Sequence, residues 1–164
     1  RNSVGVRGMR LLNKDKLVSM CVIRDPEQEF VLSITENGYG KRTSVGEYRK
    51  AGRGGQGVAN IETSVRNGLV VASFTVFAED QLMLVTDAGK VIRIRVDGGE
   101  GDVIRIAGRK TQGVRLFEVD GEEKVVSVGV IRDVDDGHDT EDNKTSGEPQ
   151  DAETDGFSGE QITE

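Results

Sequence analysis

Residues 35–58 read TENGYGKRTSVGEYRKAGRGGQGV and contain two features that recur elsewhere in the chain. The first is a turn at residues 36–38 (ENG), and the second is a glycine-rich loop at residues 52–57. Glycine and asparagine favour such turns because they tolerate positive φ. Basic side chains accompany both features: Lys41, Arg42, Arg49, Lys50 and Arg53. The stretch therefore predicts a cationic surface built on turns.

Both features occur a second time downstream. Residues 86–89 (TDAG) match residues 35–38 (TENG) at an offset of 51, and residues 108–114 (GRKTQGV) match residues 52–58 (GRGGQGV) at an offset of 56. The second copy again has basic side chains: Arg93, Arg95, Arg109 and Lys110. A repeat of about 50 residues that is rich in short strands is typical of propellers and other radial arrays.

Apolar runs and alternating patterns predict an all-β fold. Apolar strands are expected at residues 17–23, 30–35, 69–77, 82–86 and 124–131. Residues 91–96 (VIRIRV) alternate with a period of two, which places Arg93 and Arg95 together on a solvent face. Residues 58–65 alternate in the same way, and one helical turn is expected near residues 46–51.

Charge and composition divide the chain into four segments. Residues 1–28 are expected to end a preceding blade, because residues 6–11 and 18–19 resemble residues 113–116 and 126–127. Residues 29–80 and 81–131 form the two repeats. The net charge is +3 over residues 1–131 and -10 over residues 132–164, although the whole chain carries -7. With almost no aliphatic residues, the acidic tail at 132–164 is predicted to be disordered.

Motifs for catalysis or nucleotide binding are not supported. Residues 52–57 match G-x-G-x-x-G, but a β-like segment follows where a dinucleotide-binding loop would open a helix. His138 is the single histidine and lies in the acidic tail, so neither a histidine base nor a histidine metal site is expected. The single cysteine, Cys21, is expected to be a small buried hydrophobe. No apolar run of 18 residues and no signal peptide are visible.

The nine basic residues named above are the candidate site. If the repeats are arranged radially, their basic clusters would lie along one rim and face solvent. Lysine and arginine on such a rim would bind a phosphate backbone, because displaced counterions give affinity that does not depend on base sequence. An interaction platform for proteins, built on the same propeller, is the alternative.

Five stretches resemble the C-terminal repeats of the bacterial DNA gyrase A subunit. These are residues 35–43 (TENGYGKRT), 47–48 (EY), 66–71 (RNGLVV), 86–89 (TDAG) and 108–114 (GRKTQGV). The resemblance covers residues 1–131 in order. It implies a β-pinwheel, which is a propeller-like disc whose blades exchange strands, and a role in wrapping double-stranded DNA around a basic rim.

Further implications of this resemblance concern the whole enzyme. They are ATP-dependent negative supercoiling, an A2B2 complex with the gyrase B subunit, ATP and Mg²⁺ held on other domains, and a bacterial cytoplasmic location at the nucleoid. The family's catalytic tyrosine lies outside this stretch, and its Q-R-R-G-G-K-G box is absent, with residues 53–57 (RGGQG) as a degenerate echo. The A subunit of topoisomerase IV therefore remains the rival. The acidic tail is expected to compete with DNA for the basic surface.

Overall fold

The computed structural model describes residues 3–12, 14–98 and 103–132. The predicted disordered tail lies outside these residues, except for Arg132. The regular structure of the described residues comprises seven strands and one 3₁₀ turn at Val45–Glu47. The strands are β1 (Phe30–Thr35), β2 (Tyr39–Ser44), β3 (Val70–Val76), β4 (Gln81–Thr86), β5 (Val91–Arg95), β6 (Val114–Arg115) and β7 (Val125–Ile131).

The strands form two antiparallel sheets that reflect the two repeats. The first sheet has the order β3-β1-β2-β6 and the second has the order β5-β4-β7. Strand β6 follows β5 in the chain, yet it pairs with β2 of the first repeat through Tyr39↔Arg115 and Gly40↔Val114. A strand of the second repeat thus completes the sheet of the first. The predicted all-β fold with exchanged strands is confirmed.

Apolar side chains of both sheets meet in one core. Leu32 and Ile34 from β1 are fully buried together with Leu82 and Leu84 from β4, because alternate residues of a strand face the same side. The cluster also contains Val76, Val96, Ile104 and Val125. Burying each such side chain contributes about 1.5–3 kcal/mol. The two repeats are therefore held together by shared apolar packing as well as by the exchanged strand.

Most predicted strands are confirmed within one or two residues, but two are wrong. Residues 17–23 form no strand, and Cys21 is exposed instead of buried. A strand needs a partner for its backbone, whereas this segment is linked to β3 by a side chain, from the Ser19 hydroxyl to the carbonyl of Ser73 at 2.7 Å. Residues 58–65 also form no strand. The single helical turn lies at Val45–Glu47, slightly before the predicted position.

The sheet order defines an inner and an outer side of this unit. Strands β3 and β7 are the edges at which the two sheets contact each other. Strand β6 and strand β5 form the opposite edges of their sheets. Residues of β5 and β6 line one groove, and we call the part of the unit that carries these two strands the outer edge. The described residues contain no helix long and apolar enough to cross a membrane.

Candidate nucleic-acid interface

Seven of the nine predicted basic residues are accessible to solvent. Arg49, Lys50, Arg53, Arg93, Arg95 and Lys110 are exposed, and Arg109 is partly exposed. The side chains of Arg49, Lys50, Arg53 and Lys110 make no hydrogen bond or ion pair within the described part of the chain. They are therefore free to bind an anion. Whether any of these residues contacts DNA stays a prediction.

The expectation that Lys41 and Arg42 face solvent is wrong. Lys41 is 0% exposed and Arg42 is 5% exposed. The Lys41 ammonium donates to the carbonyls of Gly108 and Arg109, the latter at 2.7 Å. The Nε of Arg42 donates to the carbonyl of Ile104 at 2.8 Å, and its guanidinium lies over the ring of Phe30. The reason is the strand exchange, because a segment of the second repeat covers β2.

Burial changes the electrostatics of these two cations. Loss of hydration lowers the pKa of Lys41, and the nearby Glu47 carboxylate partly opposes that shift. Loss of hydration also lowers the pKa of Arg42, and Asp97 partly restores it. A buried charge is tolerated only when hydrogen bonds replace its water, and carbonyl oxygens supply them here. Both residues are thus occupied inside the protein and do not reach an external phosphate.

Four arginines line a groove on the outer edge. Arg93 and Arg95 come from β5, Arg115 comes from β6, and Arg105 comes from the segment before β6. The groove has a volume of about 630 Å³, and its floor includes Ile94, Ile104, Val114 and Leu116. We call it the arginine groove. It lies between β5, which is an edge strand among the described residues, and β6, which pairs with β2 of the first sheet.

The four arginines of the groove differ in how firmly they are held. Arg95 forms a two-point ion pair with Asp97, with distances of 2.9 and 2.8 Å. The Nε of Arg93 donates to the side chain of Gln81 at 2.7 Å. Arg115 donates to the hydroxyl of Tyr39 and to Glu118, which holds the pKa of Arg115 above its usual value. Arg105 is exposed, and its side chain makes no hydrogen bond, ion pair or ring contact with another described residue.

The basic residues on and before the two glycine-rich loops form a second group, which we call the glycine-loop cluster: Arg49, Lys50, Arg53, Arg109 and Lys110. One Nη of Arg109 donates to the carbonyl of Ala59 at 2.7 Å, and its guanidinium lies 5.9 Å from the ring centre of Tyr48. The Nε of Arg109 is buried without a hydrogen-bond partner among the described residues. This arrangement brings Arg109 of the second repeat next to the segment that carries Arg49 and Lys50 of the first. The two repeats thus contribute to one basic surface.

Arg105 and Arg115 were not among the residues predicted from the sequence. A signal for Arg105 was present, because residues 103–106 (VIRI) alternate apolar and basic residues in the same order as residues 91–94 (VIRI) of β5. Arg115 stands one residue after the repeated GRKTQGV motif. Neither signal shows that these side chains meet Arg93 and Arg95, because the strand exchange alone brings them into one groove.

Two repeats joined by an exchanged strand, with arginines on the outer edge, define a class of all-β, propeller-like repeat domains. The chain belongs to the DNA gyrase C-terminal domain, beta-propeller family, whose sequence profile matches residues 1–23, 29–76 and 80–132. The resemblance noted from the sequence is thereby confirmed.

Individual relatives agree with this assignment. The chain is 43% identical to the A subunit of the DNA gyrase of Rickettsia typhi over 131 residues, covering 79% of this chain and 14% of that protein. It is 46% identical to the A subunit of the DNA gyrase of Escherichia coli strain K12 over 127 residues, covering 77% of this chain and 14% of that protein. The chain thus spans about a seventh of the length of these relatives.

Solved structures show the same fold. A DNA gyrase A C-terminal domain superposes with a TM-score of 0.57 at 26% identity, covering 65% of this chain and 34% of that one. The C-terminal domain of a DNA topoisomerase IV superposes with a TM-score of 0.67 at 24% identity, covering 77% and 38% respectively. The second similarity supports the fold alone.

Proposed function

We propose that this chain binds double-stranded DNA along its outer edge and bends it, as the DNA-wrapping region of a DNA gyrase A subunit. The observation that supports this most directly is the arginine groove, where Arg105 is free and Arg93 has a neutral partner. Guanidinium groups suit phosphate because their planar donors match its oxygens. Binding to phosphates releases condensed counterions and gives affinity without base readout.

Bending requires several such contacts. A smooth bend of 40–90° over 20–30 base pairs costs on the order of 1–6 kcal/mol, which no single surface contact offsets. The groove and the glycine-loop cluster offer cations from both repeats: Arg49, Lys50, Arg53, Arg93, Arg105, Arg109 and Lys110. In this proposal the DNA path follows these cations and bends to reach several of them at once.

The role in a whole enzyme belongs to the same proposal, since the chain spans only about a seventh of its relatives. In it, the A and B subunits of gyrase assemble as A2B2, and ATP-driven strand passage introduces negative supercoils. ATP and Mg²⁺ would be held by other domains. Groups of three His, Cys, Asp or Glu side chains able to hold a metal do not occur among the described residues. The location would be the bacterial cytoplasm, at the nucleoid.

The A subunit of topoisomerase IV is the second candidate, because residues 53–57 (RGGQG) are only a degenerate form of the Q-R-R-G-G-K-G box of gyrase. The curated relatives favour gyrase, since both of those described above belong to DNA gyrases, at 43% and 46% identity. Both candidates require DNA binding.

The deciding experiment is closure of nicked circular DNA by ligase in the presence of the chain. Wrapping changes the path of the DNA axis, so we expect the linking number of the closed circles to shift with increasing protein. A variant with glutamine in place of Arg49, Lys50, Arg53 and Lys110 tests the role of the basic residues. It should shift the linking number less than the wild type does, because about four phosphate contacts are lost. Binding without any shift would indicate simple coating, and no binding at moderate salt would favour the protein-interaction platform.

A further inference from the structure

Residues 104–109 join the two halves of the candidate interface. Arg105 lines the arginine groove, whereas Arg109 belongs to the glycine-loop cluster, and Lys110 follows directly. We call these six residues the connecting segment. Its regular structure is limited to one isolated bridge, between Ile106 and Arg42. Interactions other than a ladder of strand pairing must therefore hold the connecting segment in place.

Five carbonyl groups of the connecting segment accept hydrogen bonds from three consecutive residues of β2. Arg42 donates to Ile104 through Nε at 2.8 Å and to Arg105 through its backbone amide at 2.9 Å. The Thr43 hydroxyl donates to Ala107 at 2.8 Å. Lys41 donates to Gly108 and Arg109. Lys41 and Arg42, which the sequence predicted to lie on a basic surface, instead form with Thr43 a bracket for this segment.

The bracket is a property of β2 and not of the repeat in general. At an offset of 51, Lys41 corresponds to Ile92 and Thr43 corresponds to Ile94, so β5 has no donor side chains at those positions. An ammonium costs free energy when it is buried, and Lys41 offsets that cost only by satisfying the two carbonyls. Its ammonium has no second role within the described residues, because both of its hydrogen bonds go to the connecting segment.

We propose that Lys41, with Arg42 and Thr43, is a positioning residue for DNA binding. It does not touch DNA. It holds the backbone of residues 104–109 so that the side chains of Arg105, Arg109 and Lys110 are presented together to the phosphates. This inference rests on the proposed function. Its physical basis is preorganisation, because side chains on a fixed backbone lose less conformational entropy on binding.

The test is a double-mutant cycle on the full chain, with affinity for a labelled linear duplex measured over a series of salt concentrations. Lys41→Met keeps the stem and removes the ammonium. Without the ammonium, the side chains on the connecting segment would be ordered only when DNA binds. We expect binding to weaken by roughly 2- to 12-fold for each side chain that loses its fixed position. Lys110→Ala should have a smaller effect in the Lys41→Met background than in the wild type. Arg53→Ala is the matched control, and its effect should be the same in both backgrounds, since Arg53 lies on the other glycine loop.

Several outcomes would overturn the inference. If Lys41→Met lowers thermal stability but leaves affinity and the effect of Lys110→Ala unchanged, Lys41 is merely structural. If Lys41→Met reduces the salt slope by about 0.9 with no coupling to Lys110, it contacts a phosphate directly. A wild-type chain that does not bind the duplex overturns this inference and the proposed function together. Binding that responds to Lys110→Ala without coupling to Lys41 overturns this inference alone.

A second variant keeps the test usable if Lys41→Met does not fold. The exposed carboxylate of Glu47 accepts a hydrogen bond from the backbone amide of Arg109 at 3.0 Å, so it also holds the connecting segment. Glu47→Gln removes its charge without touching the core. We expect it to show the same coupling to Lys110→Ala, more weakly, and additive effects would contradict the proposal.

Discussion

Strands β2 and β5 occupy equivalent places in the two repeats, but among the described residues β2 pairs with a strand on each side and β5 with a strand on one side. Both contain an arginine at the same position, Arg42 in β2 and Arg93 in β5. Arg42 is buried and bonded to a carbonyl, whereas Arg93 is exposed and bonded to Gln81. The same residue in the same repeat position thus holds the fold together in one copy and faces solvent in the other. The connecting segment makes the difference, because it covers Arg42 of β2 through Ile104 and Arg105.

Small residues allow β6 to approach β2. A Cβ on Gly113 would lie 2.6 Å from the carbonyl oxygen of Gly40, and a Cβ on Gly40 would lie 2.7 Å from Cδ1 of Leu116, which directly follows β6. In β5 the position of Gly40 is taken by Val91. The edge of β5 therefore lacks the feature that lets β2 accept a strand, and its arginines are of the kind that protect an open edge from pairing.

The largest effect is expected from removing that close approach. Gly113→Ala adds a Cβ against backbone at a residue with φ of 77°, so we expect a loss of roughly 2–5 kcal/mol in the free energy of unfolding. Gly57→Ala is the matched control, because Gly57 has φ of 80° but nothing within 4 Å of the added carbon. It should cost about 1–2 kcal/mol. Urea unfolding measures both, and equal losses would show that backbone strain alone, and not the β2–β6 contact, decides.

Smaller effects are expected from replacing the two equivalent arginines, one of which should matter for stability and the other for DNA binding. Arg42→Met should lower the free energy of unfolding by about 2–4 kcal/mol, because Ile104 loses its donor and Phe30 loses its cation. Arg93→Met should change stability by no more than about 0.5 kcal/mol. In DNA binding the order reverses, and Arg93→Met should reduce the salt slope by about 0.9. A similar stability loss in both variants would contradict the comparison.

The smallest expected effect is a pH dependence of stability that comes from the second repeat and not from the first. The turn after β4 is held by Lys90, which contacts Asp120 and Glu123, while the Thr86 hydroxyl donates to Glu123. These hydrogen bonds hold the pKa of Glu123 below its usual value of 4.5. At the equivalent turn after β1, the Thr35 hydroxyl donates to the carbonyl of Tyr39, which does not titrate.

The sign of the pH effect follows from linkage. The folded chain binds the proton of Glu123 less readily than the unfolded chain does, so this contribution is complete above about pH 4.5 and is lost as the pH falls through the folded pKa. We therefore expect the stability gap between the wild type and Glu123→Gln to be present at neutral pH and to shrink in acid. Glu62→Gln, at an exposed residue of the first repeat, should show no such trend. A gap that does not shrink as the pH is lowered from 4.5 until the wild type unfolds would contradict the assignment.

The repeats and most strands could be predicted from the sequence because they depend on local patterns. The apolar run at Phe30–Thr35 and the alternation at Val91–Arg95 were predicted with their correct ends within one residue. The failure at Lys41 and Arg42 has a physical cause. A period of two shows which residues share a face of a strand, but it does not show whether a distant segment covers that face. The predicted segment boundaries and the acidic tail stay predictions.

By itself, the sequence determined the all-β character, the two-fold repeat and the positive charge of residues 1–131, because propensity, periodicity and charge are carried by neighbouring residues. Only the tertiary structure decided which cations are available. Strand β6 pairs with a strand more than 70 residues earlier in the chain, through the contact of Tyr39 with Arg115. That long-range pairing buries Lys41 and Arg42 under the connecting segment and gathers Arg93, Arg95, Arg105 and Arg115 into one groove, and no local pattern encodes it.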